Sequence, residues 1–140
     1  MGTFYTNCKI ENPVARGRAA ELSNLLVDTG SEFTWIASPT LEQLGIPRER
    51  KTVSFVMANG RHVTRRIGFA IVRLARHFTI DEVVFAEPGD MMLLGARTME
   101  GLNLMVDPAG KQLLAAGPLP AASPVRRQTS AKMRRSKRSN

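Results

Sequence analysis

Leu25-Leu26-Val27-Asp28-Thr29-Gly30-Ser31, followed after Glu32 by Phe33-Thr34-Trp35-Ile36, sets one carboxylate in a tight loop between two apolar runs. The flanking runs are rich in aliphatic, β-branched and aromatic residues, which predicts a strand on either side of the loop. Glycine at position 30 lets backbone pass close to the carboxylate, and the Thr29 hydroxyl both donates and accepts hydrogen bonds. The same three residue types in that order also close ordinary exposed hairpins. Alone, they leave a plain turn and a chemical role equally open.

Outward from this loop the pattern stays short-stranded. Ser38-Pro39-Thr40-Leu41-Glu42-Gln43-Leu44-Gly45 carries a capping serine, proline at the first helical position and a terminating glycine, so one short helix is expected there. From Thr52 to Leu74, Val53, Phe55 and Met57 alternate before Asn59-Gly60, and Val63, Arg65 and Ile67 alternate after it. That predicts a hairpin whose two central residues both take positive φ. Further strands are expected at Phe78 to Phe85, near Leu104-Met105-Val106 and over Lys111 to Ala116, with a second short helix over Ala96 to Gly101 and a turn at Asp107-Pro108-Ala109-Gly110. The sum is a mainly β domain with one or two short helices, closed or sandwich-like.

The chain of 140 residues is long enough for one core. Its net charge of +8 suggests a polyanion partner until it is divided along the sequence. Seven of the 20 Lys and Arg (Arg126, Arg127, Lys132, Arg134, Arg135, Lys137, Arg138) fall in residues 118–140 without any acid, leaving 13 against all 12 acids in residues 1–117. Residues 1–117 are therefore read as a nearly neutral domain. Residues 118–140, with Pro118, Pro120 and Pro124, are read as a disordered basic tail. A lone Cys8 allows no internal disulfide, and no apolar run reaches the ~18 to 20 residues that cross a bilayer. A cytoplasmic protein without membrane contact is expected.

A carboxylate that activates water works best beside a second one. Two like charges held together cannot both ionise, so they share a proton and act as one base and one acid. Asp81, Asp90 and Asp107 stand in sequences that do not repeat the Asp28-Thr29-Gly30 arrangement. A second copy of the chain is left to supply the second carboxylate.

With Met1-Gly2-Thr3-Phe4 at the start, the Asp28 loop, the Leu41 to Gly45 helix, the hairpin tip Met57-Ala58-Asn59-Gly60-Arg61, and Leu93-Leu94-Gly95 followed by Leu102 to Pro108, the sequence resembles the retropepsin-like aspartic proteases, in particular their small single-domain prokaryotic members. The resemblance runs from about Met1 to about Gly117. It implies a closed acid-protease-like β-barrel acting as a homodimer, and an endopeptidase in which two Asp28 carboxylates activate one water. Thr29, Gly30 and Ser31 would support that loop, with Thr29 bonding across the dimer axis. Met57, Ala58, Asn59, Gly60 and Arg61 would form a flap over a peptide or protein substrate. Leu93, Leu94 and Gly95 would pack behind the site. Ser31 stands where retroviral members usually carry alanine; in pepsin-like relatives a serine there bonds to the aspartate.

No cofactor and no metal is expected, since His62 and His77 lie in strand-like segments away from any cysteine or spaced acidic set. Met91-Met92 reads as core filling, Trp35 as packing behind the loop, and Cys8 as structural. A second reading from another class is an inactive dimeric β-domain used as a binding module, with the basic tail on nucleic acid or another acidic partner. Such binding would be salt-dependent, and it would lack aromatic residues to stack on bases.

Overall fold

A computed structural model describes residues 4–122. Met1, Gly2 and Thr3, and the basic residues from Arg126 to Arg138 on which the nucleic-acid reading depends, lie outside the described residues. The chain is mainly β. In order it forms β1 (Phe4–Glu11), β2 (Ala19–Val27), β3 (Thr34–Ala37), α1 (Ser38–Gln43), β4 (Thr52–Val56), β5 (His62–Leu74), β6 (His77–Ala86), β7 (Leu93–Leu94), α2 (Ala96–Leu102), β8 (Leu104–Asp107) and β9 (Gln112–Ala115).

Seven strands share one sheet in the order β1-β2-β7-β3-β6-β5-β4, and β8 pairs with β9 apart from it. Strand β1 also pairs with β5, Lys9, Ile10 and Glu11 lying opposite Arg73, Val72 and Ile71. Glu11 ties that junction: its carboxylate takes Arg73 at 2.8 Å and Arg16 at 2.9 Å, which together hold its protonation below the usual carboxylate range. Between β1 and β2 the register shifts after Thr6. Asn24 takes the left-handed conformation there, with its N–H on Asn7 Oδ1.

Successive residues of a strand face opposite ways. Leu25, Val27, Ile36, Val83, Phe85 and Leu94 therefore enter one core, while Leu26, Trp35, Val84, Ala86 and Leu93 enter a second. Strands buried on both faces carry continuous apolar runs, which is what Leu25-Leu26-Val27 and Val83-Val84-Phe85 are. Cys8 is buried in the first core; burial, with the charge of Glu21 adding to it, pushes its thiol up to about 12.

Three local expectations are corrected. Helix α1 is capped by Ala37, not by a serine side chain, because Ser38 already stands in the helix and its hydroxyl donates inward to the Ala86 carbonyl at 2.9 Å. The hairpin tip is a three-residue loop. Met57 and Arg61 pair, the Gly60 N–H reaches the Met57 carbonyl, and Gly60 alone of the turn takes positive φ, at 85°. This is the longer hairpin solution, a right-handed turn closed by a left-handed glycine. Met91 and Met92 are not core: they are 61% and 37% exposed, because the irregular segment before β7 crosses the surface instead of entering the sheet.

Candidate active site

Asp28 sits where β2 leaves the sheet. Leu26 and Val27 pair in parallel with Leu93 and Leu94, and the Asp28 N–H continues that ladder onto the Leu94 carbonyl at 3.0 Å. The loop then closes on itself, with the Ser31 N–H on the Asp28 carbonyl and the Gly30 N–H on Asp28 Oδ1 at 3.0 Å. Helix α2 locks it from behind through the Ala96 and Arg97 N–H groups on the Ser31 and Glu32 carbonyls. Gly95 is required at this crossing, since a Cβ there would collide with the carbonyl oxygens of Phe33 and Glu32. The Arg97 guanidinium lies 4.7 Å from the Phe33 ring centre, a cation over an aromatic face.

Asp28 is half-buried, and Thr29 and Gly30 are exposed. Asp28 Oδ2 and the Thr29 hydroxyl have no hydrogen-bond partner among the described residues. Ser31 Oγ donates to the Phe33 carbonyl at 3.2 Å and not to the aspartate. Its hydroxyl shapes the loop backbone, unlike the serine of the pepsin-like relatives.

A cleft of about 650 Å³ opens beside the carboxylate. One wall is the loop, with Asp28, Gly30, Ser31, Glu32 and Phe33; the facing wall is β4, Val53 to Val56, continued by Met57 and Ala58. Trp35 and Leu93 also line it. Trp35 is buried as expected for packing, yet its packing partner is the hairpin: its ring centre lies 4.7 Å from that of Phe55, and Phe33 meets Phe55 edge-on at 5.7 Å. Of the residues singled out in the sequence, Asp28, Gly30, Ser31, Met57, Ala58 and Leu93 come together around the cleft. Asn59, Gly60 and Arg61 stand exposed at the hairpin tip, and Leu94 and Gly95 lie buried behind the loop.

The base of the hairpin is clamped to the cleft rim. Arg65 on β5 donates from Nε to Asp90 Oδ2 at 2.7 Å and from its terminal nitrogen to Oδ1 at 2.9 Å; the two side chains are 15% and 7% exposed. Those bonds, more than the Glu87 N–H on the same carboxylate, hold Asp90 below the usual carboxylate range against the opposing effect of burial, and they raise Arg65. Reading the sequence missed this pair and missed Phe55 as a cleft residue. The signal for Phe55 was present: Val53, Phe55 and Met57 share one parity, so whichever face Met57 turned to the cleft, Phe55 turned too. Arg65 and Asp90 are 25 residues apart in no pattern.

A mainly β domain with a single short loop presenting a carboxylate to an apolar cleft is consistent with the acid-protease class. The family model described as gag-polyprotein putative aspartyl protease matches residues 20–100, from β2 into α2 and so across the whole cleft, and the chain belongs to that family. No curated protein matches the chain. No helix among the described residues is long and apolar enough to cross a membrane.

Proposed function

We propose that the chain is one subunit of an aspartic endopeptidase, in which two copies bring their Asp28 carboxylates together over one water. The observation that carries this reading is the incomplete chemistry of the loop. Asp28 faces a peptide-sized apolar cleft with one oxygen unpartnered among the described residues, and the other acids lining that cleft do not repeat its loop. Asp90 is spent on Arg65, and Glu32 stands outside the Asp28-Thr29-Gly30 turn.

In the dimer one Asp28 is protonated and the other is not. The ionised carboxylate takes a proton from water as the water oxygen adds to the scissile carbonyl carbon, and the protonated one gives its proton to the carbonyl oxygen. Collapse of the resulting diol, with a proton delivered to the nitrogen, yields one acid and one amine. The Thr29 hydroxyls, unpartnered among the described residues, would bond across the axis. The β4–β5 hairpin would act as the flap, excluding bulk water from the dyad. The pairing of β1 with both β2 and β5 supports reading the sheet as a closed barrel.

Asp28→Asn is expected to cut cleavage of a diverse peptide library by at least about 10³-fold while leaving thermal unfolding and the two-chain mass in light scattering unchanged. Equal cleavage by the variant would sink the assignment. Full activity from a strictly monomeric protein would sink the shared dyad.

A further inference from the structure

Behind the Asp28 loop a row of side chains joins three elements that the proposed chemistry does not use. The Gly95 N–H donates to Thr34 Oγ1 at 3.0 Å, the Thr34 and Thr98 hydroxyl oxygens lie 2.6 Å apart, and Thr98 Oγ1 donates to Asp81 Oδ2 at 2.9 Å. Thr34 begins β3, Thr98 lies within α2 and Asp81 lies in β6; both threonines are fully buried.

Proton counting sets the direction of every bond. An ionised carboxylate only accepts, so the single Thr98 proton points to Asp81. Thr98 has none left for Thr34, which must donate to it. Thr34 in turn accepts from Gly95. The remaining Asp81 oxygen takes the Glu82 N–H at 2.7 Å, so neither oxygen is free to turn away. A chain polarised in one direction from a charged end strengthens each of its links.

The far end of this chain is the backbone that holds Asp28. Gly95 follows Leu94, whose carbonyl receives the Asp28 N–H. Two valines at positions 34 and 98 would fill similar space without desolvating two hydroxyls, so what the threonines add is a fixed place for Gly95, not burial. We propose that Asp81 is a positioning residue for Asp28, acting through Thr98 and Thr34 to fix Gly95 and with it the Leu94 carbonyl. This role rests on Asp28 being the catalytic carboxylate.

Amide hydrogen exchange on the full chain, run beside peptide cleavage, tests it. Thr98→Val keeps the volume and breaks both middle bonds; Thr98→Ser keeps the hydroxyl. The valine variant is expected to exchange roughly tenfold faster at the Asp28 and Gly95 amides and to lose kcat with KM held, while amides of the β5–β6 ladder such as Val83 are unmoved. Asp81→Leu should reproduce that pattern. The serine variant should return to within about twofold of the parent. Exchange rising alike through the whole sheet, a serine variant as impaired as the valine one, or an unmoved Asp28 amide would each overturn the proposal. Localised faster exchange in the valine variant, beside a parent protein that cleaves no peptide, would overturn the catalytic reading of Asp28 yet leave the coupling from Asp81 to the Asp28 amide standing. The two failures are thereby told apart.

Discussion

The two walls of the cleft are held in opposite ways. The Asp28 loop is fastened through its backbone: β7 takes the Asp28 N–H, the loop takes its own Ser31 N–H, and α2 places two N–H groups on the loop carbonyls. Among the described residues the facing hairpin pairs β4 only with β5 and exposes its tip, and it meets the rest of the cleft through side chains, Phe55 on Phe33 and Trp35, and Arg65 on Asp90. Backbone fastening fixes atoms to fractions of an ångström, as the role proposed for Asp28 requires. Side-chain fastening would let one wall separate without breaking the sheet, as the flap role proposed for the hairpin requires.

The largest effect is expected at Gly95. Gly95→Ala drives a methyl into the Phe33 and Glu32 carbonyls and is expected to cost about 4 kcal/mol or more in urea unfolding, because backbone and not a side chain must yield. A tolerated alanine would mean that the loop is less tightly fastened than its hydrogen bonds indicate. Asp90→Ala strands a nearly buried guanidinium and should cost about 3 kcal/mol, with faster amide exchange in β4 and β5 and none in the Asp28 loop. Loss of protection in both walls would abolish the distinction between them.

The same pair makes the stability of the hairpin wall depend on pH. Because the folded Asp90 sits below its ordinary value, the stability it contributes is complete above the usual aspartate value of about 3.9 and is lost as pH falls through and below it. Urea midpoints of Asp90→Asn should therefore fall less steeply than those of the parent in that window; parallel curves would remove the ion pair from the account. The smallest effect is expected at the tip. Gly60→Ala meets no atom of the described residues within 4 Å and costs only the strain of positive φ, about 1 kcal/mol by denaturant unfolding, with the Asp28 amide unmoved.

How much of this was legible follows the same divide. The Asp28 loop announced itself because a polar triplet between apolar strands is a local pattern, as is Leu93-Leu94-Gly95 before a helix. The hairpin was legible from its alternation and from Asn59-Gly60, yet its turn was misjudged: the strands end at Val56 and His62, leaving more residues to turn with than the two central ones expected. What stayed hidden is non-local. Asp81, Thr98 and Thr34 are joined across 17 and 64 positions, and no periodicity spans such separations. The reversal at Ala75, with its φ of 54°, carries no glycine or asparagine to mark it. Trp35 was readable as buried but not as the hairpin's partner, since burial and contact are different facts.

Cys8 gives the chain a built-in reporter of its own opening. A thiol buried in β1 and pushed up to about 12 is neither ionised nor reachable at neutral pH, so reagents that attack thiolates have nothing to attack while β1 stays between β2 and β5. When the reagent reacts faster than the sheet recloses, the rate at which it marks the protein is the rate at which that seam comes apart. With one cysteine in the sequence, the signal comes from a single place.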